Sequence, residues 1–322
     1  MIVLGKSSSP RLPWLDAAKQ RVSSSLEQGR LPHALLIHAP QGVGAESLAA
    51  WIAQLALCTS PAMEPCGSCS SCRLFSANNH PDLHWVMRAE DAKQLQIDQI
   101  RELCETFALK SYRGGRKVGV IAPADLMTAN AANALLKTLE EPPPEGLLIL
   151  IAERPSRLPA TIVSRCQRIT VSVPPRKIAL EWLTAADPSV GDWSELLEFA
   201  AGAPRRALEL HASGFENLHQ EMTAAVTALR ERSLDIPATA ERWWRDSIEA
   251  RLAWIETWIT KSLREALLGT ANLQSLPGIR KIRALYGLLD RVREFKLELS
   301  TPLNVQLAAE ELLLRAQATL TS

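Results

Sequence analysis

LLIHAPQGVGAESLAA (35–50) decides how the first half of the chain is read. Leu35-Leu36-Ile37 is an apolar strand, Gly42 and Gly44 make a turn, and the Ala/Leu-rich run that follows has helix composition. This is the frame of a phosphate-binding loop. Its working form is G-x-x-x-x-G-K-[S/T], in which the lysine reaches the β/γ-phosphates and the hydroxyl binds Mg²⁺. Here Ala39 stands at the first glycine, Ala45 at the lysine and Glu46 at the Ser/Thr. A carboxylate therefore lies where a polyphosphate's charge would have to sit. The residues predict a nucleotide-binding fold that no longer hydrolyses nucleotide. Taken alone, the stretch also fits an ordinary strand–turn–helix with no such ancestry.

Outward from this loop, short β-like runs alternate with helical stretches. The runs are LLIH (35–38), LHWVM (83–87), KVGVIA (117–122), LLILIA (147–152) and RITVSV (168–173). DQIRELCETFAL (98–109) and LMTANAANALLKTLEE (126–141) carry helix-type apolar spacing. Strands separated by helices predict an α/β domain with a mostly parallel sheet covered on both faces. After Val173-Pro174-Pro175 the strand signals stop, and the rest reads as helices. Breaks fall near Ala186-Asp187-Pro188, Gly202-Ala203-Pro204, Ser213-Gly214, Ile236-Pro237 and Leu276-Pro277-Gly278. The expected division is 1–173 for the sheet domain, 174–213 for a small helical domain and 214–322 for a larger all-helical one.

Composition narrows the class. The 322 residues carry a formal net charge of +1, which argues against a surface devoted to neutralising phosphates. No apolar run approaches the roughly 18–20 residues of a membrane span. The start, MIVLGKSSSPRLPW, lacks an apolar signal-peptide core, so the chain reads as cytoplasmic, with no membrane partner. Many of the nine tryptophans lie in helical patterns; Trp243, Trp244, Trp254 and Trp258 fit either a helical core or an interface.

Four of the six cysteines cluster in CTSPAMEPCGSCSSC: Cys58, Cys66, Cys69 and Cys72. Two C-x-x-C steps let successive thiolates converge on one cation, and Cys58 closes the set from a preceding helix end. Four thiolates with no open position describe a structural Zn²⁺ knuckle. Disulfides, a redox C-x-x-C and an iron–sulfur cluster are the competing readings. Arg73 is the one nearby cation in the sequence, which disfavours a zinc-dependent nucleic-acid-binding module. Cys104 reads as a buried thiol in a helix.

In an ATPase the strand KVGVIA would end in Asp-Glu; here those positions are Ala122 and Pro123. Two separate motifs have thus lost their catalytic groups. Next come NALLKTLEEPP (133–143) and TIVSRC (161–166). In this order, with GRLPHALLIHAP (29–40), the cysteine quartet and, more weakly, GAPRRAL (202–208), the chain resembles the clamp-loader ATPases of the AAA+ class in bacterial DNA polymerase III. The resemblance covers about the first two-thirds of the chain.

The resemblance implies an AAA+ P-loop-type domain with an inserted zinc knuckle, a helical lid and a helical collar. It implies a hetero-pentamer with gamma/tau and delta subunits that loads the sliding clamp on primed DNA. Each ATP in such a ring lies at a subunit boundary, and the neighbour supplies an arginine in trans from the SRC motif. Arg165 matches that arginine. A planar, permanently charged guanidinium suits the γ-phosphate, and such fingers contribute roughly 10³–10⁵ in rate elsewhere. Arg205 matches the second-sensor arginine, with a helix-end or salt-bridge role as the alternative; the first-sensor position falls near Ala152-Glu153. Gly42 and Gly44 are vestiges of the loop, and no functional ATP site is expected. The chain is then a non-hydrolysing component of a DNA-directed DNA polymerase holoenzyme, a nucleotidyltransferase. The alternative is a gamma/tau-type ATPase with an atypical loop.

Overall fold

The computed structural model describes residues 11–60, 63–88, 92, 94–246, 248–268, 276–299 and 304–321, without the side chains of 276 and 277. Residues 1–10, on which most of the signal-peptide reading fell, lie outside the described residues. By its internal contacts the chain forms two compact units, Met1–Leu208 and Glu209–Ser322.

The first unit is built on five parallel strands: β1 Ala34–His38, β2 Leu83–Met87, β3 Lys117–Ala122, β4 Gly146–Ala152 and β5 Gln167–Thr170. Their order across the sheet is β2-β3-β4-β1-β5. β1 is flanked by β4 (Ile37 beside Ile151) and by β5 (Ile37 beside Ile169). The chain leaves β1 for the far edge, returns strand by strand to β4, then crosses to β5. The carboxyl end of β1 is therefore the switch point where open α/β sheets bind ligands. β1, β3 and β4 are buried almost along their whole length, as strands covered on both faces must be. β5 stops at Thr170, three residues short of the RITVSV run. Its only partner among the described residues, β1, ends at His38, and Val171 N donates to His38 O at 2.9 Å just beyond the pairing.

α1 (Asp16–Glu27) packs on α2 (Ala45–Leu57), and α2 lies against β1, β3 and β4. Between α2 and β2 sits the short α3 (Ser70–Ser76). α4 (Ile97–Ala108) and α5 (Ala129–Glu140) share a buried cluster in which Ile100, Leu103 and Phe107 meet Leu135, Leu139, Leu148 and Leu150. α5 starts where the Thr128 hydroxyl accepts from Ala131 N at 3.2 Å, and it stops before Pro142-Pro143. α6 (Ala160–Val163) follows β4, and Ile162 enters the same cluster. α7 (Arg176–Ala186), α8 (Ser194–Phe199) and α9 (Pro204–Ala212) complete the run, with the unit boundary inside α9.

A staple near the N-terminus holds this unit together. Trp14 Nε1 donates to Val43 O at 2.7 Å in the loop after β1, and Trp182 Nε1 of α7 donates to Arg11 O at 3.0 Å. The two indoles meet edge to face, 5.5 Å between centroids.

The elements described in the second unit are all helices: α10 (Phe215–Arg230), α11 (Ile236–Arg245), α12 (Ile248–Leu268), α13 (Leu276–Glu298) and α14 (Val305–Thr321). α12 packs on α13, and α14 packs on α10, α11 and α13. The prolines at 237 and 277 open helices α11 and α13, at positions whose N–H would have no partner in the helix. Trp243 and Trp254 are core residues; Trp254 stacks on Trp258, while Trp244 is half exposed. The buried Arg251 guanidinium pairs with Glu221 at 2.9 Å and Asp246 at 3.2 Å. No helix among the described residues is long and apolar enough to cross a membrane.

Candidate functional site

The loop between β1 and α2 keeps its turn and little else of a phosphate site. Gly42 and Gly44 take positive φ, 81° and 93°, and Gly44 caps α2. Ala45, at the lysine position, is buried, and Glu46 lies in the first turn of α2, where an incoming phosphate would meet like charge. The loop is also covered by its own unit. Arg205 N donates to Gly42 O at 3.0 Å. A Cβ on Gly42 would stand 2.5 Å from Arg206 Cβ. Leu12 lies equally close to the corresponding position on Gly44, at 2.5 Å. The Arg205 guanidinium donates to Ser47 Oγ at 2.8 Å, so this arginine is spent on α2's own hydroxyl.

At the end of β3, Ala122 and Pro123 offer no carboxylate. The nearest acid beyond them, Asp125, accepts from Glu153 N at 3.3 Å and Arg154 N at 3.1 Å. It joins the segments that follow β3 and β4.

Arg165 lies in the turn that directly follows α6, its side chain about one-third exposed. Nη2 donates to Glu140 Oε1 at 2.7 Å, and Nη1 donates to Thr161 O at 3.0 Å. Glu140, the last residue of α5, was not singled out by sequence, since it stands 25 positions away. Beside this turn lies a shallow cleft of about 660 Å³, whose lining includes His38, Arg154 and Arg168. Cys166 is a half-buried thiol raised by burial to about 11.

The structure brings all four cysteines of the quartet together: one sulfur from each lies within 4.8 Å of every other. Cys58 caps the end of α2, Cys69 caps the start of α3, and Cys72 is in its first turn. Cys58 Sγ to Cys69 Sγ and Cys66 Sγ to Cys72 Sγ are each 4.0 Å. A tetrahedral ion with metal–sulfur bonds of about 2.3 Å separates its sulfurs by about 3.8 Å, whereas a disulfide needs about 2.05 Å. The set could hold a metal ion. Backbone N–H groups of Cys66, Cys69 and Cys72 donate to the sulfurs of Cys58, Cys66 and Cys69 at 3.5, 3.3 and 3.3 Å. Such donors favour thiolates. The bond from Cys69 N leads in lowering Cys66. Burial opposes ionisation of Cys69, but bonds from Thr59 and Cys72 outweigh it and bring this thiol down to about 5. Burial and the Cys69 side chain push Cys72 up to about 12.

A buried polar chain that sequence reading missed anchors the knuckle. Asp82 N donates to His80 Nδ1 at 3.2 Å, which leaves the proton on Nε2, 2.7 Å from Ser71 Oγ; that hydroxyl donates to Leu57 O at 2.6 Å. With its acceptor nitrogen occupied, His80 is no base for Ser71. The fully buried Asp82 carboxylate accepts from Ser111 Oγ, Tyr112 N and Arg113 N at 3.0, 2.8 and 3.2 Å. Arg113 Nη2 in turn reaches Ser70 Oγ at 2.6 Å. Arg73 is therefore not the only cation at the knuckle: the loop before β3 adds Arg113, which stands 43 residues from the Ser70 it reaches.

Comparison with known proteins agrees with this architecture. Residues 14–175 match the family model described as DNA polymerase III, delta subunit. The DNA polymerase III subunit delta' of Pseudomonas aeruginosa is 35% identical over 275 residues, 84% of this chain and 82% of that one. Its namesake in Escherichia coli is 32% identical over 319 residues, 95% of each chain. The subunit tau of Bacillus subtilis is 34% identical over 148 residues, 46% of this chain and 26% of that one.

Proposed function

The chain belongs to the family of DNA polymerase III delta' subunits, and from that premise we propose that it is the non-hydrolysing member of a clamp loader, lending Arg165 to ATP held by a neighbouring subunit. The observation that carries the reading is a contrast inside one unit. The loop at the switch point lacks the ammonium and Mg²⁺ groups and is packed over by α9 and Leu12, whereas Arg165 stands at the surface on the SRC turn. Arg154 and Arg168 line the adjoining cleft against one acid, Glu153, and together leave an excess of positive charge toward an incoming phosphate.

In this reading the partners are gamma/tau- and delta-type subunits in a hetero-pentamer, and through them the sliding clamp and primed DNA in the cytoplasm. Residues 174–213 serve as the lid and 214–322 as the collar that joins the ring. Cys58, Cys66, Cys69 and Cys72 hold one structural Zn²⁺, supported by sulfur separations close to those of a tetrahedron. Zinc there fixes the knuckle between α2 and α3 and does no chemistry.

The test is DNA-stimulated ATPase and clamp loading by a reconstituted complex. The isolated chain should not hydrolyse ATP. An Arg165→Ala subunit should fold and assemble, yet lose hydrolysis at the one site it faces, so total ATPase falls only in part. Arg165→Lys should rescue poorly, because an ammonium keeps the charge and loses the planar fork. Wild-type loading by the Arg165→Ala complex would remove the finger role. Turnover by the isolated chain, abolished by substitution at Gly44 or Ala45, would make it a gamma/tau-type ATPase instead.

A further inference from the structure

Arg165 is already engaged within its own chain. Glu140 takes one end of its guanidinium at 2.7 Å and Thr161 O another at 3.0 Å. Both backbones are fixed: Leu139, next to Glu140, and Ile162, three residues before Arg165, lie in the same buried cluster. Glu140 is the last residue of α5, where the helix's carbonyl end disfavours a carboxylate, so a cation beside it relieves that repulsion. The pair is nonetheless open to water, the side chains 35% and 51% exposed. A half-exposed, singly charged carboxylate is a weak holder of a guanidinium. A terminal phosphate with more charge and several oxygens is a stronger one.

We propose that Glu140 parks Arg165 and competes for it with the terminal phosphate of the nucleotide on the neighbouring subunit. The inference rests on the reading of Arg165 as a finger and adds its regulation. With a triphosphate in place the guanidinium leaves Glu140. With a diphosphate the recipient oxygens are gone, and Arg165 returns to the carboxylate. Glu140 is thus a positioning residue that ties release of the finger to the phosphate it serves. Exposed pairs of this kind shift an equilibrium by roughly two- to fivefold, which sets the size of the competition.

The experiment uses the reconstituted complex with every ATP site silenced except the one facing Arg165, and titrates ATP. Glu140→Gln should lower the half-saturating ATP concentration about two- to fivefold and leave kcat unchanged. Glu140→Asp, which keeps the charge and shortens the reach, should shift it in the same direction by less. Melting of the free Glu140→Gln chain should stay within about 4 °C of wild type, as expected for one exposed pair. A fall in kcat with unchanged half-saturation would mean that Glu140 holds Arg165 ready instead of competing for it, and overturns the proposal. No change in either quantity, while Arg165→Ala still slows the site, would show the pair to be idle. An Arg165→Ala complex at full rate would remove the finger, and the parking role with it.

Discussion

Gly42→Ala tests whether α9 truly closes the loop after β1. Gly42 holds φ of 81°, and an L-residue in that region costs roughly 1–2 kcal/mol. The added methyl would stand 2.5 Å from Arg206 Cβ and 2.7 Å from Arg206 N. Ordinary carbon contacts need about 3.5–4.0 Å, so the start of α9 must retreat by about 1 Å. Overpacking of that kind costs about 1–3 kcal/mol. Loss of the bond from Arg205 N to Gly42 O removes about another 0.5–1.5 kcal/mol. The total is roughly 3–6 kcal/mol. Gly29→Ala is the control: φ there is 65° with nothing within 4 Å of the new methyl, so only the backbone cost of about 1–2 kcal/mol applies. For a unit of this size the excess should lower Tm by about 5–15 °C beyond the control in a calorimetric scan. Equal Tm values for the two variants would refute the close approach of α9, and with it the claim that the loop is covered.

Three further outcomes are expected. Asp82→Ala strands the donors of Ser111, Tyr112 and Arg113 and should cost about 3–5 kcal/mol in urea unfolding, with faster amide exchange across 110–113; wild-type exchange there would count against the anchor. Burial lowers His80, and Arg113 adds to this against the pull of Asp82. The folded state therefore resists a proton the unfolded chain takes up near pH 6.5, so stability should hold above that pH and fall as pH drops through it. His80→Gln should flatten the slope, and an unchanged slope would reassign it. Finally, adding Zn²⁺ to chelated protein at pH 7.5 should load one ion per chain and release protons, because Cys72, pushed up to about 12, enters as a thiol. Titration without acidification, or unchanged zinc content in Cys66→Ser, would refute the site.

The sheet could be read from sequence because buried parallel strands are unbroken apolar runs. KVGVIA coincides with the fully buried β3 for this reason, whereas LHWVM matches β2, a half-buried edge strand. RITVSV overran because a strand lasts only as long as its partner, and the end of β1 is not encoded in the β5 segment. The cysteine quartet was visible because its four thiols are local in sequence. The polar contacts were not. Arg165 with Glu140, Arg113 with Ser70 and Arg205 with Ser47 join residues 25, 43 and 158 positions apart. Such pairs follow no period, and any of several nearby charges would have fitted the pattern as well.

The tryptophan staple has a consequence for the birth of the protein. Arg11 and Trp182 are 171 residues apart, and Trp14 also needs the loop at Val43. At about 5–20 residues per second of synthesis, the N-terminal segment waits roughly 9–34 s before its indole partner has been made. Until then the Trp14 ring has no edge-to-face partner. The first described residues to leave the ribosome are thus among the last of their own unit to dock. Nascent chains cut before Trp182 should leave this segment open to protease, and those extending past α9 should protect it.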